Sequence, residues 1–130
     1  MYIAVDVDGT ILDHVYPDLG ELVPGAIHWL KTFQENGAKL IMLTMRSDTP
    51  KRRTLSEAVE LCEDHGITFF AVNDNPDQAS WTSSRKVYAH VYIDDAAIGC
   101  PLVENPRLGG RPYVDWGKVG PAVLEMLETE

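Results

Sequence analysis

The stretch Tyr2-Ile3-Ala4-Val5-Asp6-Val7-Asp8-Gly9-Thr10 sets the terms for the whole chain. Tyr2 to Val7 is a short apolar run that ends among carboxylates. This is the pattern of a buried strand that delivers acidic side chains to its carboxyl end. Downstream, Val23 to Asn36 carries Ala26, Ile27, Leu30 and Phe33 at helical spacing, with Pro24 near the start and Gly37 at the exit. Lys39 to Thr44 (KLIMLT) is a second apolar run, too short for a helix. Pro50 to His65 reads as a second helix with Leu55, Val59 and Cys62 on one face, closed by Gly66.

Ile67 to Val72 is a third strand, and Val87 to Ile93 a fourth that runs into Asp94-Asp95. Between them, Asn73 to Ser84 is polar, with room for a helical turn. Pro112 to Val114 reads as a short edge strand, and Val119 to Leu127 as a closing amphipathic helix. Strands alternating with helices define an α/β class with a mainly parallel sheet. Right-handed crossovers are expected to place helices on both faces, giving a Rossmann-like three-layer sandwich. With 130 residues and no linker or repeat, the chain is expected to form one domain over residues 1–130.

Composition excludes several classes. No segment approaches the ~20 apolar residues that span a bilayer. Met1 to Val7 reads as a strand rather than a basic region ahead of an apolar stretch, and the expected location is cytoplasmic. The formal net charge of −9 argues against nucleic acid as a partner. Lys51-Arg52-Arg53 reads as a solvated turn rather than a basic patch. Cys62 and Cys100 form no CxxC pair, so free thiols are expected.

Three of the strands end in reactive or hydrogen-bonding groups: Asp6 and Asp8, Thr44, and Asp94 with Asp95. In a parallel sheet these gather at one edge, where α/β proteins bind ligands. A group of carboxylates without positive company repels itself, and a divalent cation relieves the conflict. All-oxygen ligation points to Mg²⁺.

The segment Ile3 to Leu12 resembles the first motif of the haloacid dehalogenase superfamily. Leu40 to Thr44 resembles its second motif, Lys86 in Ser84-Arg85-Lys86 its basic third, and Val91 to Asp95 its acidic fourth. The resemblance spans nearly the whole chain. It implies a Mg²⁺-dependent phosphatase that cleaves a phosphate monoester through an aspartyl phosphate on Asp6, with Asp8 as general acid and base. Thr44 would bind a phosphate oxygen and Lys86 would neutralise charge. The metal would be held by the Asp6 side chain, the Asp8 carbonyl and a carboxylate of Asp94 or Asp95, with Asp95 favoured as the direct ligand. The gap from Ile11 to Val23 and that between the second and third motifs are too short for a cap domain. An open site of this kind suits a bulky phosphorylated substrate or cover by a second copy of the chain.

His14 and Tyr16 follow the first motif and are read as exposed loop residues with substrate contact as the alternative. Arg46 is read as either a surface residue or the partner of a second anionic group. Two other functional classes stand beside the phosphatase. One is a phosphate- or Mg²⁺-binding regulatory module on the same fold. The other is a receiver-like domain phosphorylated on Asp74, which the order of the motifs disfavours.

Overall fold

A computed structural model describes every residue from Met1 to Glu130. Four strands, β1 (Tyr2–Val5), β2 (Lys39–Met42), β3 (Ala71–Val72) and β4 (Val91–Ile93), form one parallel sheet in the order β3-β2-β1-β4. Helix α1 (Ala26–Glu35) joins β1 to β2, and α2 (Thr54–Asp64) joins β2 to β3. A short antiparallel pair, β5 (Leu102–Val103) and β6 (Tyr113–Val114), precedes the last helix, α3 (Trp116–Glu128). The class is α/β with a parallel sheet.

Alternation along the strands divides the core. Ile3 and Val5 of β1, Leu40 and Met42 of β2 and Ile93 of β4 face one side. They pack with Leu30 and Phe33 of α1, Ala58 and Cys62 of α2, and Trp116, Val119 and Val123 of α3. Ala4 and Ile41 face the other side, against Ala89. All three helices therefore lie on one face. The steps β1-α1-β2 and β2-α2-β3 move across the sheet in the same direction, and right-handedness puts both helices on the same side.

The expectation of helices on both faces is thus corrected. The second face is covered by residues 73–90, the return crossing from β3 to β4, whose only helical piece is a 3₁₀ turn at Pro76–Ser80. Side chains take over the role of a helical ladder there. The Gln78 amide donates to the carbonyls of Ser84 (3.2 Å) and Lys86 (3.0 Å) and accepts from the Tyr88 N–H (2.8 Å). The Asn75 side chain accepts from the Asp77 N–H at 3.1 Å. Backbone groups satisfied in this way have no need of regular structure.

Several boundaries move. The third strand shrinks from Ile67–Val72 to Ala71–Val72, with Ile67 sunk in the core instead. β4 starts at Val91 rather than Val87, and residues 87–89 are irregular, their backbone groups engaged by the Tyr92 hydroxyl, which donates to the Val87 carbonyl (2.7 Å) and accepts from the Ala89 N–H (3.1 Å). The second helix begins at Thr54, not Pro50, after a turn closed by Thr49 N–H to Arg52 C=O. β5 has no counterpart in the sequence reading. α3 starts three residues before Val119, capped by the Asp115 carboxylate on the Gly117 N–H. It keeps Gly120 and Pro121 inside, where propensity alone argues against a helix. Gly120 lets Trp29 of α1 lie directly on the backbone of α3, since a Cβ there would overlap the indole.

Arg52 pairs with Asp18 and Glu57, and Arg53 with Glu60, so two of the three basic residues of the cluster are neutralised by their neighbours. Cys62 and Cys100 are free. Burial pushes the Cys62 thiol up to about 12. No helix is long and apolar enough to cross a membrane.

Candidate active site

β1 sits between β2, which leads away to β3 on one side, and β4 on the other. The order reverses between β1 and β4, and the crevice beyond their carboxyl ends is where an open α/β sheet offers a binding site. Asp6 and Asp8 leave β1 there, and Asp94 and Asp95 leave β4. A cavity of about 600 Å³ opens at this point, lined by these four aspartates together with His14, Tyr16, Thr44, Met45, Arg46, Ala96 and Arg111.

The loop after β1 is shaped by its backbone. The Val7 carbonyl accepts from the N–H groups of Thr10, Ile11 and Leu12, which forces a tight turn at Asp8-Gly9. Gly9 has φ +90°, and a Cβ at this position would meet the His14 ring and the Asp95 carboxylate. Glycine is required both by the backbone conformation and by this close approach. Carboxylate oxygens of Asp6, Asp94 and Asp95 lie within 4.8 Å of one another. The Thr10 hydroxyl accepts from the Asp95 N–H (3.2 Å) and donates toward Asp6 (3.4 Å). His14 Nε2 stands 3.2 Å from Asp95 Oδ2.

Asp6 is pushed up to about 8, first by burial, then by the negative charge of Asp94 and a hydrogen bond shared with Asp95. Three carboxyl groups crowded this closely could hold a hard divalent cation. The side chain of Asp8 lies outside that trio. Both its oxygens are taken by Arg46, whose Nε donates at 2.9 Å and Nη2 at 2.8 Å. The same guanidinium donates to the carbonyls of Pro17, Asp18 and Thr54, and its side chain is only 1% exposed. Arg46 is therefore not a surface residue, and its charge is already spent on Asp8.

Thr44 lines the cavity as expected. Its N–H donates to the side chain of Asn73 (2.8 Å), a residue with φ +51°. Lys86 is not brought to the site. It is exposed, outside the cavity lining, with Nζ 5.5 Å from the Tyr92 ring centroid. The expectation that it neutralises phosphate charge rests on motif order, and the lining of the cavity does not include it.

The sequence leads one to expect the long loop from Ala96 to Arg111 at the border of the site, but two features of it are not legible there. Asp13 is almost buried and binds Arg107 Nε (2.7 Å) and Asn105 Nδ2 (2.7 Å), which locks the loop before β6 onto the loop after β1. Arg107 holds the Asp13 carboxyl below the usual carboxylate range. Arg111, carried by that loop, lines the cavity. Neither pairing has a local signal, since the partners lie more than ninety residues apart in sequence.

The site and sheet together define an α/β protein with an acidic, oxygen-donor centre at its switch point. Among solved structures, the chain is similar to the conserved protein coded by a locus from Bacteroides thetaiotaomicron. The two share 36% sequence identity over 97% of this chain and 91% of that one, with a TM-score of 0.74. The chain belongs to the same family as that protein. No protein-family model and no curated protein matches it.

Proposed function

We propose that the chain is a Mg²⁺-dependent phosphohydrolase of the haloacid dehalogenase type, without a cap domain, that cleaves a phosphate monoester. The observation that carries this reading is the convergence of Asp6, Asp94 and Asp95 at the switch point with Asp8 in the same cavity. The Asp6 carboxylate attacks phosphorus and becomes an aspartyl phosphate, while the leaving oxygen takes a proton from Asp8. Asp8 then accepts a proton from water as that water attacks phosphorus, which frees phosphate and restores Asp6. Arg46 fixes the orientation of Asp8 through its two-pronged bond, and Thr44 offers its hydroxyl to a phosphate oxygen. Asp6, the Asp8 carbonyl and the Asp94-Asp95 pair would hold Mg²⁺, which would neutralise the charge shared by nucleophile and ester. Lys86 has no part in this arrangement.

Phosphate release from an aryl phosphate is expected to require Mg²⁺ and to vanish with Asp6→Asn. Release that survives Asp6→Asn would rule the nucleophile out. A second reading, a phosphate- or Mg²⁺-binding regulatory module, draws support from the engagement of both Asp8 oxygens by Arg46. It predicts Mg²⁺-dependent phosphate binding with no turnover of any ester.

A further inference from the structure

The cavity is lined by four aspartates and two arginines. Arg46 is consumed by Asp8 and by three carbonyls. Arg107, on the same loop as Arg111, is consumed by Asp13. Arg52 and Arg53 are paired with carboxylates as well. Arg111 is the unpaired arginine of the cavity: its guanidinium has no hydrogen-bond or ion-pair partner although it borders several carboxylates, whereas Arg85, also unpaired, lies outside the lining. Arg111 is exposed, but the loop whose backbone carries it is fastened at several points. Asn105 Nδ2 bridges the Arg111 carbonyl (3.2 Å) and the Asp13 carboxylate (2.7 Å). Arg107 closes on the other Asp13 oxygen at 2.7 Å, and the Gly110 N–H donates to the Arg107 carbonyl at 2.8 Å. Two residues on, β6 pairs with β5, and the Val114 N–H donates to the Gly9 carbonyl of the catalytic loop at 3.0 Å. The backbone that carries Arg111 is thus tied directly to the turn that carries Asp8.

The cavity also exceeds what a phosphate group fills. At about 600 Å³ it has the size of a small-molecule site, with exposed apolar surface from Tyr16 (60% exposed) and Met45 (97% exposed). An arginine presents a planar fork that matches carboxylate or phosphate oxygens and that surface lysines do not reproduce.

Resting on the phosphatase reading for the reacting end, we infer that the ligand is a small organic phosphate bearing a second anionic group, carboxylate or phosphate, which the Arg111 guanidinium binds while the first phosphate lies against Asp6. Arg111 is the residue that selects such compounds over plain monoesters.

The test uses Asp6→Asn protein with Mg²⁺, so that binding is read without turnover, and isothermal titration calorimetry with two matched pairs. Phosphoserine against phosphoethanolamine adds a carboxylate, and a hexose bisphosphate against the hexose monophosphate adds a more distant phosphate. In at least one pair the doubly anionic compound is expected to bind about tenfold more tightly, and Arg111→Gln in the same background to reduce that preference to about twofold or less. Arg85→Gln, an exposed arginine away from the cavity, is expected to leave the preference intact. Preference in neither pair, or a preference that survives Arg111→Gln, would overturn the assignment. Wild-type turnover of the same compounds, assayed in parallel, separates the two ideas. Absent turnover with an Arg111-dependent preference defeats the phosphatase reading alone, and turnover with no such preference defeats this inference alone.

Discussion

A carboxyl group that stays protonated near neutrality must give up its proton when a cation arrives. Asp6 is that group, raised to about 8 by burial and by Asp94 and Asp95. An ordinary aspartate, near 3.9, is fully ionised at pH 7 and releases nothing on binding metal. With Asp6 at about 8, the ionised fraction is roughly one half at pH 8 and roughly one hundredth at pH 6. The apparent Mg²⁺ affinity should therefore fall by about 50-fold between those values, and binding at pH 7 should release about 0.9 proton. Calorimetric titration at pH 7 in two buffers of different ionisation enthalpy counts that proton directly, and the same titration at pH 6 and pH 8 gives the affinity ratio. The metal-free protein carries the corresponding signature. Its folded state holds a proton that the unfolded chain lacks between pH ~4 and ~8, so its stability falls as pH rises through that window. Affinity that changes less than about threefold, with less than about 0.2 proton released, would refute the picture of three crowded carboxyls sharing one cation.

Arg46→Ala strips a buried guanidinium from Asp8 and from the carbonyls of Pro17, Asp18 and Thr54, and urea unfolding should register a loss of about 3–5 kcal/mol. Arg46→Lys should recover less than half of it, since an ammonium cannot make the two-pronged bond, and a loss below about 1 kcal/mol in either variant would contradict the buried pair. Gly120→Ala should lower the melting temperature, because overpacking against Trp29 at about 1–3 kcal/mol outweighs the ~1 kcal/mol gained from helix propensity. A higher melting temperature would mean that α1 and α3 do not meet there. Asp13→Ala should free the loop around Arg107, seen as at least about tenfold faster amide exchange at Gly110. In the wild type that protection should persist at pH ~4 and fail only below it, because Asp13 titrates under the usual carboxylate range.

The acidic centre is legible in the sequence for a simple reason. Asp6, Asp8, Asp94 and Asp95 each follow an apolar run, and a parallel sheet brings the ends of such runs to one edge. Thr44 is legible on the same ground. Arg46 is ambiguous because its partner lies 38 residues away, and nothing in Thr44-Met45-Arg46 tells a buried fork from a solvated one. Lys86 is not placed by the sequence because order along the chain carries no information about where a side chain points, and its ammonium stands 5.5 Å from the Tyr92 ring centroid. The absence of an α-helix on the second face is hidden for a related reason. A polar connector of residues 73–90 satisfies its backbone through Gln78 and Asn75, which hydrophobic periodicity does not reveal. Gly117, Gly120 and Pro121 hide the start of α3, where packing of Trp116 and the contact with Trp29 outweigh propensity.

The central claim is that Asp6 carries the phosphoryl group, and the most direct test is to trap it. Asp8→Asn blocks activation of water, while an aryl phosphate leaves without needing a proton from Asp8, so the first step proceeds and the second stalls. Mixing this variant with Mg²⁺ and radiolabelled aryl phosphate, quenching in acid and mapping the labelled peptide should place one acid-stable, hydroxylamine-sensitive phosphate on the peptide that contains Asp6. Label that persists on the same peptide after Asp6→Asn, or wild-type turnover with no labelled protein in the Asp8→Asn variant, would contradict the account.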